Sequence, residues 1–60
     1  MDNRYWYAVE RDEEDNDWGT GSYDLEEAKE MARKYPEGQI AVIEEGNDPI
    51  CVNIITQDEF

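Results

Sequence analysis

Only one stretch of this sixty-residue chain repeats its apolar side chains at helical spacing. In "DLEEAKEMARKYP" the residues Leu25, Ala28, Met31, Ala32 and Tyr35 form one stripe, and Pro36 ends it because a proline lacks the amide donor and its ring clashes with the preceding turn. A single helix cannot enclose a core. The remaining apolar residues must come as strands, and the helix can cover one face of the resulting sheet. Alanines within the stripe predict a close approach of helix to sheet. Asp24 is a good N-cap, with Glu27 placed for a capping-box-like pairing. Glu26 and Glu27 at the start, and Arg33 and Lys34 at the end, complement the helix dipole, and Glu30 with Lys34 makes an i,i+4 pair. A Met and aromatic stripe at this spacing reads as core, not as a cofactor site.

The strand-like blocks flank that helix. "RYWYAVER" (4–11) alternates with period two, which puts Tyr5, Tyr7 and Val9 on one face and Trp6 and Ala8 on the other. One face is expected against the helix, the other under neighbouring side chains or a second chain. "IAVIEE" and "ICVNIIT" around "GNDP" read as a β-hairpin, with Pro49 near the start of the last strand. Because the last strand is apolar on both faces, it is expected to be central. The tail "QDEF" is expected to fray. Between Arg11 and Asp24 lie twelve residues, long for a connection in so small a domain. "DWGTGSY" shortens it by pairing back on the first strand through a turn at Glu13–Asn16, with Gly19 and Gly21 marking a bulge or an edge. The expected fold is thus α+β: residues 1–60 form one domain in which one helix packs on a three- or four-stranded, mainly antiparallel sheet. ββαββ is preferred and βαββ is the alternative.

Size and charge narrow the function. A chain this short buries only about 60% of the surface its unfolded form exposes and reaches a stability of roughly 3–5 kcal/mol, which leaves no room for an enclosed substrate cavity. Its 17 acidic and 5 basic residues give a net charge of −12, against direct binding to nucleic acid or an anionic membrane. A basic protein partner suits it better. The N-terminal "MDNRYWYAVE" lacks a signal-peptide apolar run, and the single Cys51, with apolar neighbours, reads as a reduced, buried core residue; both predict a cytoplasmic protein.

The stretch "ERDEEDNDWGTG" holds six carboxylates and invites a calcium reading, with Asp12, Glu14 and Asn16 at alternate positions. An EF-hand register from Asp12 meets Asp17 where glycine belongs and Tyr23 in place of the closing glutamate, so a solvated turn is preferred to a weak divalent-cation module. Without histidine, and with one cysteine, zinc has no ligand set, and general acid–base work would need buried carboxylates. "GTG" lacks the rest of a nucleotide-binding fingerprint. No cofactor, metal or catalytic residue is expected.

Interaction is the remaining class. Two tryptophans and four tyrosines exceed what so small a core needs, and aromatics ringed by charge are common interface anchors. The candidate surface is Trp6, Glu10, Asp12, Glu14, Asp17, Trp18 and Tyr23. The competing reading is structural, with Trp6 covering the open sheet face and Trp18 packed across the hairpin. An exposed edge strand could also pair with a second copy. A sharper alternative is a nucleic-acid mimic, in which these carboxylates together with Glu26, Glu27, Glu30, Glu44, Glu45 and Asp48 imitate backbone phosphates and block a basic nucleic-acid-binding protein.

"YWYAV", "DNDWGTGSYDLEEAKEMA" and "IAVIEEGNDPICV" together resemble the small acidic proteins encoded in bacterial and phage genomes, in which a Gly-Ser-aromatic-Asp turn leads into a "LEEA" helix. The resemblance spans nearly the whole chain and implies no activity and no residue roles.

Overall fold

The computed structural model describes residues 4–60; Met1, Asp2 and Asn3, where the leader reading begins, lie outside the described residues. In chain order the elements are β1 (Arg4–Glu10), β2 (Gly21–Ser22), α1 (Leu25–Ala32), β3 (Gln39–Glu45) and β4 (Ile50–Ile55), closed by a 3₁₀ turn at Gln57–Glu59. This is the ββαββ order. The strands form one antiparallel sheet in the spatial order β2-β1-β3-β4.

The two faces of β1 separate as its alternation predicts. Val9 packs with Ala28, Ala32 and Ile40 beneath the helix, and Tyr7, Leu25, Met31 and Tyr35 close around them. All five stripe residues of the helical segment therefore reach the core. On the opposite face Ala8, Ala41 and Ile43 form a second, smaller cluster against which Trp6 packs. Ala8, Ala28, Ala32 and Ala41 are fully buried. Side chains this small let helix and strands approach closely, so added methylenes there would overpack the core.

The helix ends correct two sequence expectations. Asp24 accepts the Glu26 amide at 3.0 Å, but its own N–H is taken by Ser22 Oγ at 3.0 Å, the role expected of Glu27. Ser22, held on β1 through β2, is already beside that amide. At the other end the Lys34 and Tyr35 amides bond three residues back, to Met31 and Ala32. This tightened turn carries Lys34 away from Glu30, and the ion pair formed on the helix is Glu26–Lys29 at 3.5 Å.

Three further expectations fail at the C-terminal end. β4 is not central but an edge strand, bonded to β3 alone. The apolar character that suggested a central place is instead left in the open, with Ile50 52%, Val52 47% and Ile54 39% exposed. Cys51 is consequently an exposed thiol, not a core residue. The tail does not fray: Gln57 Nε2 donates to the Tyr35 carbonyl at 2.5 Å, and Phe60 packs against the helix-side core.

Candidate interaction surface

The face of the sheet away from the helix is organised in cross-strand rows. The register sets Trp6 beside Ile43 and Ile43 beside Cys51, while Ala8, Ala41 and Ile54 form the next row. Glu10 and Gln39 close the face at one end, Arg4 and Glu45 at the other. Residues opposite one another in an antiparallel ladder share a face, so each row is a set of touching neighbours.

Over the β1 side of this face lies an aromatic cover drawn from the 11–24 connection. The Trp6 indole donates to the Trp18 carbonyl at 2.7 Å, and the Trp18 indole donates to Glu10 Oε2 at 3.3 Å. Tyr23 meets Trp6 edge-to-face with ring centroids 4.7 Å apart, while its hydroxyl donates to both oxygens of Glu45 at 3.0 and 3.1 Å. The Arg4 guanidinium stands 4.9 Å from the centre of the Tyr23 ring. Only 5% exposed, Glu10 also accepts from Gln39 Nε2 at 2.7 Å.

Trp6, Glu10, Trp18 and Tyr23 are thus brought together, and each is engaged within the chain. Asp12 and Asp17 instead serve the backbone of the connection itself, and Glu14 between them is exposed. Asp12 Oδ1 accepts the Glu14 and Asp15 amides at 2.9 and 3.0 Å, and Asp17 Oδ1 accepts the Gly19 amide at 2.9 Å. These are the local side-chain-to-backbone bonds by which aspartate shapes a loop. Among the described residues no three Asp, Glu or Cys side chains converge so as to hold a metal ion. Among the described residues, one surface cleft of ≈ 390 Å³ is lined by Asp12, Glu13, Glu14, Glu37 and Gln39, and another of ≈ 490 Å³ by Glu27, Glu30, Met31, Arg33 and Lys34.

Asp15, not singled out by the sequence, braces the connection. It accepts the Arg11 and Asp17 amides at 3.0 and 3.1 Å and the Arg11 guanidinium at 3.2 Å. Those donors, the Arg11 amide first, hold its carboxyl below the usual carboxylate range, while the Arg11 guanidinium is raised by the same contact. A lowered folded value means that the unfolded chain takes up the proton first as pH falls. The bracing is therefore complete above about pH 4, the value of a free aspartate, and is lost as pH drops through the lower folded value. The Arg11 and Asp17 amide resonances should shift together below about pH 4, and Asp15→Asn should remove that step. Amides that ignore the acid range would refute the bracing.

The cover reaches β4 only at its end, where Ile55 packs against the helix-side core. The helix packs over β1, β2 and β3, and the aromatic group sits over β1. What remains bare is a six-residue strand without a charged side chain, its side chains exposed along most of its length and its outer backbone edge bonded to no strand. A bulge interrupts it: Val42 pairs with Asn53 and Ile43 with Cys51, so Val52 has no partner across the ladder. The sequence holds the signal for this site in "ICVNII", although it does not say which strand lies at the edge. Glu10 was also legible as a face residue, since alternation places it with Trp6 and Ala8.

Among the described residues no helix is long and apolar enough to cross a membrane. No protein-family model matches the chain, and comparison with curated proteins and with solved structures returns no similar protein.

Proposed function

We propose that this chain is a cytoplasmic protein-interaction module without catalysis, and that β4 is its working surface. The observation that carries the reading is the exposure of Ile50, Val52 and Ile54 on an uncharged edge strand. Proteins that do not use such an edge blunt it with lysines, prolines or a covering loop, because unpaired amides and carbonyls beside apolar side chains invite another strand. β4 has the bulge but none of the charge. The aromatic cover supports a separate role for Trp6, Trp18 and Tyr23, since each already has a partner inside the chain. The unpaired, exposed thiol of Cys51 is compatible with a reducing compartment.

Val52→Lys tests the reading with little risk to the fold, since Val52 is exposed and outside both core clusters. The immobilised variant should lose the proteins that the parent chain retains from a host lysate, while Glu30→Lys, the same charge type on the exposed helix face, should keep them. Both should melt close to the parent. Equal retention by Val52→Lys and the parent chain would remove β4 from the function.

A further inference from the structure

We infer that the occupant of the β4 edge is an extended segment with an uncharged, β-prone centre and cationic residues at both ends, added to the sheet as a fifth strand; this rests on β4 being the interaction surface. The edge is neutral along Ile50–Ile55 but is bounded by acid. Asp48 stands two residues before the strand, and Asp58 and Glu59 stand in the turn after it, all exposed. On the inner side Ile50 pairs with Glu44 and, next to it, Glu45 faces Arg4. Ladder hydrogen bonds along the neutral stretch would supply affinity without regard to sequence, while the acidic ends would select the partner's charge. Six residues at the rise of a strand span about 20 Å, so the partner's cations should stand about six to eight residues apart. The net charge of −12 adds long-range attraction for such a segment.

The same charges disfavour a second copy of this chain. A two-fold antiparallel pairing centred between Val52 and Asn53 would bring residue 48 of each copy beside residue 57 of the other, one residue from Asp58. At both ends the shared contact would then bring Asp48 of one copy to the diagonal of Asp58 of the other, adding local repulsion to that between two chains of −12 each. A basic-ended segment makes the opposite match at both ends.

The test uses two synthetic peptides with the same centre, Val-Thr-Val-Thr-Val-Thr, flanked by two lysines or by two glutamates at each end, titrated into the isotope-labelled chain. The lysine peptide should shift the amides of 50–55 saturably and bind at least tenfold more tightly than the glutamate peptide at 50 mM salt. The gap should narrow to about twofold at 500 mM, where the screening length is a few ångströms. Asp48→Lys combined with Asp58→Lys should reverse the preference. Equal affinity for the two peptides, or shifts centred away from β4, would overturn the inference. So would a stable dimer in sedimentation that Val52→Lys dissociates, because a second copy would then be the occupant. That last result, or failure of both peptides while Val52→Lys still abolishes retention from lysate, leaves β4 as the interaction surface and removes only this partner.

Discussion

Ile40→Ala is expected to leave a large share of the molecules unfolded at 25 °C. Ile40 is the largest fully buried side chain among the described residues, and it joins Val9 and Ile55 in one cross-strand row beneath Ala28 and Ala32. Trimming a buried isoleucine to alanine costs about 2–5 kcal/mol, from lost burial plus the cavity left behind. Collapse around that cavity is limited, because neighbouring Ala28 and Ala32 have no reach with which to fill it. A core of this size supports roughly 3–5 kcal/mol in total, so the loss is comparable with the whole stability. A urea titration followed by far-ultraviolet circular dichroism should show the folded baseline shortened or absent. Ile54→Ala, at an exposed position of similar chemistry, should move the midpoint little. Equal midpoints for the two variants would mean that the core lies elsewhere.

Gly21→Ala should act differently, by detaching one edge of the sheet. A β-carbon at Gly21 would lie 2.2 Å from the Tyr7 carbonyl oxygen and 2.9 Å from Ala8 Cα, both backbone atoms that cannot swing aside. β2 would have to leave β1. With it would go the bond from the Val9 amide to the Thr20 carbonyl, and then the purchase that the Trp18 carbonyl gives the Trp6 indole. Overpacking of this kind costs about 1–3 kcal/mol or more, and only two residues of β2 resist it. Hydrogen exchange should show Val9 losing protection while Ile40 and Val42 keep most of theirs, and tryptophan emission should move to the red as the cover opens. Uniform loss of protection would instead make β2 part of the cooperative core.

The difference between these variants reflects what sequence patterning can and cannot convey. The stripe Leu25, Ala28, Met31, Ala32, Tyr35 reaches the core in full, and the alternation Tyr5, Tyr7, Val9 against Trp6, Ala8 sorts β1 correctly, because both depend on local geometry alone. Strand order depends on which distant segments meet. "ICVNII" has the same composition at the centre of a sheet as at its edge, so its apolar faces alone pointed inward. The pairing of β1 with β3, over a separation that spans the helix, is what excludes it. Cys51 followed the strand into the wrong environment for the same reason. The acidic stretch shows the converse: six carboxylates within residues 10–17 resemble a ligand set, whereas hydrogen bonds to nearby amides direct Asp12, Asp15 and Asp17 to the loop's own backbone. Those bonds depend on turn geometry that composition does not specify.

The bulge at Val52 bears on a hazard that every bare edge strand carries, that of seeding fibrils. Cross-β growth requires flat strands that stack in register without end, each new layer presenting the same template as the last. A skipped residue bends its strand and increases the local twist, so successive layers on β4 would drift out of alignment. With the repulsion between chains that each carry −12, this favours a stack that ends after one addition. The bulge thus works against indefinite stacking on β4.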